Sequence, residues 1–177
     1  MKKIIGWLVV FAVVAVAAFY AFNSYIYNEK QGDAQDPKDA TYVIEGQPVT
    51  LVHGRAETDA APGSASKIIT TYFGNEAVGD LNGDGTEDTA FLLSQSTGGS
   101  GTFYYIVVAL KTDTVYQGTN AVLLGDRIAP QTTEIRDGML IVNFAERKAD
   151  EPMTARPSMG VSKYLKVTEG SLVEVAQ

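Results

Sequence analysis

"DTAFLLSQSTGGSGTFYYIVVAL", residues 88–110, holds two apolar runs around a connection rich in Gly and Ser. Successive side chains of a strand point to opposite faces, so a strand with one face in water alternates apolar and polar residues. The second run, "TFYYIVVAL", does not alternate; it is apolar on both faces, which predicts a central strand covered on both sides. "DTAFLLS" is its partner strand across the loop "QSTGGSG". A fold with such a centre needs material on each face.

Outward from this pair the chain punctuates itself as a β protein. "TYVIEGQPVTLV" places Glu45 and Gly46 between two short β-branched runs, "EIRDGMLIVNF" places Asp137 and Gly138 likewise, and "YLKVTEGSLVEV" repeats the form at Glu169 and Gly170. An acidic residue followed by Gly between alternating runs predicts a hairpin at each place. "KIITTYF" and "AVLLGDRI" add further strands, for a total of about eight to ten. No stretch after residue 40 carries a helical stripe longer than two turns. The expected fold is therefore mainly β, an antiparallel β-sandwich or open barrel over residues 41–177, preceded by one N-terminal transmembrane helix. "AERKADEPMTARPSMG", long and charged, is expected to be its most mobile loop.

The transmembrane expectation rests on "MKKIIGWLVVFAVVAVAAFYAFNSYIY", residues 1–27. The uncharged run from Ile4 to Phe22 would span roughly 28 Å as a helix, close to the thickness of a bilayer core. Lys2 and Lys3 in front of it predict a cytoplasmic N-terminus, and Tyr20, Tyr25 and Tyr27 suit the opposite interface. The remainder is then extracytoplasmic, on a single-pass anchor in the cell membrane. The segment also reads as a signal peptide cleaved after "AVA" at residues 15–17, which would release a secreted domain. The anchor reading takes precedence because the apolar run continues past that point into the aromatic belt. "NEKQGDAQDPKDA", residues 28–40, is polar and aperiodic and reads as a flexible linker.

Among 177 residues the formal net charge is −7, so phosphate-rich partners are repelled and nucleic acid is excluded as the expected ligand. The absence of cysteine excludes disulfides, thiolate metal sites, thiol catalysis and a lipid-modified N-terminal cysteine.

"DLNGDGTED", residues 80–88, crowds like charges that would repel one another without a counter-ion. Ca²⁺ takes six to eight oxygen ligands, and a loop supplying side chains at positions 1, 3, 5 and 9 and a carbonyl at 7 wraps it. Those positions are Asp80, Asn82, Asp84 and Asp88, with Thr86 giving the carbonyl and Gly85 at the sharp turn of position 6. Hard oxygen donors without His or Cys nearby select Ca²⁺ over zinc or copper. The stretch resembles the calcium loops of the EF-hand superfamily, and more closely the strand-loop-strand version of integrin-type β-propeller repeats. Phe91 stands at position 12, where a helical EF-hand has its bidentate Glu; in the β version position 9 closes the site, which makes Asp88 the expected bidentate ligand. The competing reading is a solvated Asn and Gly turn.

"YVIEGQPVTLVHG", "YFGNEAVGDLNGDG", "GGSGTFYYIVVAL" and "LLGDRIAPQT" together resemble a group of small uncharacterised bacterial envelope proteins, a resemblance that implies one exported domain and no activity. No catalytic residue is assigned. His53 is the sole histidine, "TGGSGT" around Ser100 lacks the nucleophile-elbow spacing, and Asp126 and Arg127 read as a turn or local ion pair. Glu45, Glu134 and Glu146 are carboxylates whose separation the sequence leaves open. The favoured function is a membrane-tethered extracytoplasmic module with a structural Ca²⁺ that presents its surface to a protein or glycan partner. The alternative is an envelope hydrolase whose active-site loop is ordered by calcium.

Overall fold

The structure, a computed structural model, describes residues 35–176 apart from 62 and 114. The expected anchor at residues 1–27 lies outside the described residues, as does most of the 28–40 linker. Among the described residues no helix is long and apolar enough to cross a membrane. Twelve strands follow a short 3-10 turn at Pro37–Asp39: β1 (Thr41–Ile44), β2 (Gln47–Thr50), β3 (Arg55–Asp59), β4 (Lys67–Gly79), β5 (Asp88–Ser96), β6 (Phe103–Thr112), β7 (Val115–Gly118), β8 (Val122–Asp126), β9 (Ala129–Arg136), β10 (Met139–Glu146), β11 (Met159–Thr168) and β12 (Ser171–Glu174). The protein is mainly β, built from several antiparallel sheets. Twelve exceeds the expected number because β3, RAETD, and β7, VYQG, are short and carry no clear strand pattern; β4 also runs well past "KIITTYF".

The centre is as the two apolar runs require. β4, β5 and β6 lie side by side in a six-stranded sheet of order β3-β4-β5-β6-β7, with β8 also paired to β6. Phe91 opposes Val107, Leu92 opposes Ile106 and Leu93 opposes Tyr105 across the β5–β6 ladder. Alternation then sends the two sets of side chains to opposite faces. Leu92, Ile106 and Val108 pack with Leu140, Val142, Phe144 and Leu165 from the four-stranded sheet β12-β11-β10-β9. Phe91, Leu93, Tyr105 and Val107 pack on the other side with Tyr42, Ile44, Val49 and Leu51 of the β1–β2 hairpin. Phe91 meets the Tyr42 ring edge-on with centroids 5.6 Å apart, and the Tyr72 ring at 5.3 Å. Such pairs add specificity to the burial itself.

The hairpins form at the expected acidic-Gly steps. Glu45 and Gly46 have φ of 50° and 78°, Asp137 and Gly138 52° and 68°, Glu169 and Gly170 49° and 74°. Positive φ at both central residues gives the type I′ turn, whose twist matches the flanking strands.

Polar side chains also fasten the layers beyond apolar contact. The Asn120 side chain donates to Leu172 O at 2.9 Å and accepts from Leu172 N at 2.8 Å, so one amide serves as a strand residue for the β12 edge. Packing also begins ahead of Thr41. Asp36 caps the 3-10 turn through Lys38 N, Ala40 is buried, and the Tyr42 hydroxyl donates to Pro37 O at 2.6 Å. Residues 36–40 of the expected linker thus belong to the packed unit. Likewise β10 and β11 extend into both ends of the 145–160 stretch, and Ser158 N donates to Glu146 O at 3.0 Å.

Two-sided burial makes Phe91 the sharpest test of this arrangement. Phe91→Ala is expected to lower unfolding free energy by about 3–5 kcal/mol. Val173→Ala, on the outer strand β12, is expected to stay within about 0.5 kcal/mol. Urea unfolding midpoints of the two variants check both; equal effects would contradict a core centred on β5.

Candidate metal centre

The nine-residue loop joins β4 to β5, and its two ends are fixed before its middle is considered. At the β4 end a side chain on Gly79 would place its Cβ 2.8 Å from Ile135 Cγ2, so only glycine lets β4 pass this close to β9. Leu81 then turns inward and joins the core. At the β5 end Asp88 is fully buried. Its Oδ2 accepts from Leu81 N at 2.9 Å and its Oδ1 from Lys111 N at 3.0 Å, which ties the loop back on itself and onto the end of β6. Burial pushes the Asp88 carboxyl above its ordinary pKa; the two backbone amides oppose that shift, and the nearby Asp84 and Asp80 charges add to it.

Between these ends the loop folds on its own side chains. Asp80 accepts from Gly83 N at 2.7 Å and from Gly85 N at 2.9 Å. Asn82 Oδ1 accepts from Asp84 N at 3.0 Å, and Asn82 Nδ2 donates to Asp84 Oδ2 at 2.9 Å. Thr86 N donates to Asp84 Oδ1 at 2.7 Å. The Asn82 amide, followed by Thr86, holds the exposed Asp84 carboxyl below its ordinary pKa. Gly85 has φ +83°, which a side chain would strain, as position 6 of the motif demands.

The sequence placed Asp80, Asn82, Asp84, Thr86 and Asp88 around one centre. The structure brings all five into a single connection and separates them into two groups: Asp80, Asn82, Asp84 and Thr86 lace the turn, and Asp88 clamps its base. Among the described residues no three His, Cys, Asp or Glu side chains are grouped closely enough to hold a metal ion. Asp80, Asp84 and Asp88 therefore do not converge as they stand, each carboxylate being drawn to backbone N–H groups. The donor set itself fits a hard cation. The seven side-chain oxygens of the four residues each accept one hydrogen bond, which leaves every one of them a second lone pair.

The remaining polar candidates sit apart from the loop. His53 occupies an exposed turn with φ 51°, its N–H donating to Asp39 Oδ1 at 2.5 Å. Asp126 and Arg127 form the expected local ion pair at 2.8 Å, and Asp126 also accepts from Thr102 N at 2.9 Å. The Arg127 guanidinium lowers the Asp126 pKa. Glu134 pairs with Arg136 at 2.6 Å. Glu146 lines a hollow of about 240 Å³ with Asp126 and Arg147. Glu45 accepts from the buried Tyr105 hydroxyl at 2.8 Å beside a groove of about 390 Å³ that also contains Asp59 and Gln95. Sequence reading missed the Glu45–Tyr105 and Asp88–Lys111 links, which join residues far apart in the chain and carry no spacing signal.

Compared with protein-family models, with curated proteins and with solved structures, the chain matched none.

The clamp at Asp88 makes a separate prediction. Asp88→Asn keeps the shape and loses one acceptor, setting an NH₂ group against a buried backbone N–H. Stability is expected to fall by about 1–3 kcal/mol even with chelator present. Chemical denaturation of both proteins in chelator measures it, and an unchanged midpoint would remove Asp88 from its role at the loop base.

Proposed function

We propose that this chain is a membrane-anchored extracytoplasmic β domain that binds a structural Ca²⁺ ion and serves as an interaction module of the cell envelope for a protein or glycan partner. The observation that carries the reading is the β4–β5 loop, in which oxygen donors at motif positions 1, 3, 5 and 9 all lie on one short connection anchored in the core by Leu81 and Asp88. Asp80, Asn82, Asp84 and Asp88 would hold the ion with their side chains and Thr86 with its carbonyl. The ion would supply positive charge to carboxylates that repel one another in the folded state. It has no substrate to activate in this reading; its effect is on the register of β4 against β5.

The layered sheets are read as a β-sandwich with the β1–β2 hairpin laid on the outer face of the larger sheet. The anchor rests on the sequence of residues 1–27. It places Lys2 and Lys3 in the cytoplasm and the β domain outside.

Calcium is tested by melting the full-length chain with and without chelator. Free Ca²⁺ at 100 times the dissociation constant is expected to add about 2.7 kcal/mol, seen as a higher melting temperature that chelator reverses. Asp84→Ala, at an exposed position, is expected to abolish that increment while leaving the chelated melting temperature near the wild-type value. A wild-type curve indifferent to millimolar Ca²⁺ would defeat the proposal.

The anchor is tested separately by washing membranes of expressing cells at alkaline pH. The intact chain is expected in the pellet; a soluble chain beginning after residue 17 would replace the anchor with a signal peptide.

A further inference from the structure

Asn82–Gly83 is the one Asn-Gly step in the chain. Both residues are exposed, so water and base reach them. With no Cβ on the following residue, the backbone nitrogen of Gly83 meets no steric barrier in approaching Asn82 Cγ. The folded loop nevertheless holds both reacting groups. Gly83 N donates to Asp80 Oδ1 at 2.7 Å, so its proton is engaged with a carboxylate and must leave that partner before the nitrogen can be deprotonated. The Asn82 amide is fixed at each end, Oδ1 accepting from Asp84 N and Nδ2 donating to Asp84 Oδ2. The other described asparagines precede larger residues, Glu76, Ala121 and Phe144. Asn120 and Asn143 are also tied across strands, to Leu172 and to Thr132 and Ser162 respectively.

We propose that Asn82 is a site of spontaneous deamidation whose rate is set by opening of the β4–β5 loop, with the Asp80–Gly83 hydrogen bond as the latch. In the opened loop Gly83 N loses its proton to water or base and forms a bond to Asn82 Cγ. The Cγ–Nδ2 bond breaks, and ammonia departs after taking up a proton. One water molecule then opens the cyclic imide at either carbonyl, giving aspartate or isoaspartate at position 82. The net change is the amide plus water going to a carboxylate plus ammonium, with no oxidation or reduction. Either product adds a negative charge to a loop already acidic. The isoaspartate also routes the backbone through the former side chain, which lengthens it by a methylene and displaces Asp84 and Asp88 from their spacing. The inference concerns the loop's own hydrogen bonds and is independent of calcium binding.

The test incubates the full chain, with chelator throughout, at mildly alkaline pH and follows the peptide containing Asn82 by mass spectrometry. Native wild-type protein is expected to deamidate at least about tenfold more slowly than the same chain in denaturant, because a charge-assisted hydrogen bond must open first. Asp80→Ala, still native by near-ultraviolet circular dichroism, is expected to recover most of that difference. Equal native and denatured rates would overturn the proposal, as would a folded Asp80→Ala protein as slow as wild type. Should Asp80→Ala fail to fold, exchange of the Gly83 amide in the wild-type chain decides instead. Protection of about tenfold or more is expected, and exchange at the unprotected rate would overturn the latch.

Discussion

The rest of the molecule depends on the burial of β5 and β6 from both sides. A pair of strands with apolar side chains on each face leaves no surface for solvent, and the two other sheets are placed by the need to cover one face or the other. The β9–β12 sheet covers Leu92, Ile106 and Val108, while the β1–β2 hairpin covers Phe91, Leu93 and Val107. Hydrogen bonds at the margins, such as the Asn120 pair with Leu172, then fix how the covering elements sit. Their net contribution is small beside the area removed from water, and their geometric demand is large.

This constraint reaches the candidate metal centre through one residue. Asp88 is the first residue of β5, so the strand that defines the core also supplies the carboxylate at the base of the loop. Its two amide partners lie on the loop and on the end of β6, so movement of the loop relative to the sheet breaks a bond at a buried anion. The exposed turn above it is different in kind. Asp80, Asn82 and Asp84 are bonded to near neighbours in sequence, so those bonds can open without breaking a contact to the core. The loop thus has a base tied into the core and a turn bonded chiefly to itself.

Much of this was legible in the sequence. The non-alternating "TFYYIVVAL" located the central strand, and the acidic-Gly steps at 45–46, 137–138 and 169–170 located three hairpins, because both signals are local and depend on a fixed periodicity or a required φ. What escaped is non-local. β4 continues to Gly79 through register shifts between Tyr72 and Ala77, bending to pass β9, and nothing in residues 73–79 announces a partner more than fifty residues away. The short strands β3 and β7 pair along the edges that β4 and β6 offer them. Pro37–Asp39 looked like linker because bonds that hold it come from further along the chain, Gly54 N donating to Lys38 O and His53 N to Asp39 Oδ1. In the loop, ligand spacing was readable and the second bond of Asp88 was not, since Lys111 lies at the far end of another strand.

The same distinction between local and distant bonds decides how the loop and the core exchange free energy. A cation gathering Asp80, Asp84 and Asp88 would have to act on the buried carboxylate as well as the half-buried Asp80 and the exposed Asp84, and Asp88 is the one whose charge burial disfavours. Neutralising a desolvated anion is worth more than neutralising a solvated one, because less of the field is screened by water. An ion bound here would therefore strengthen the β4–β5–β6 junction more than it strengthens the turn itself. Structural calcium in this fold would be a device for holding strand register at the edge of a core that apolar burial has already built.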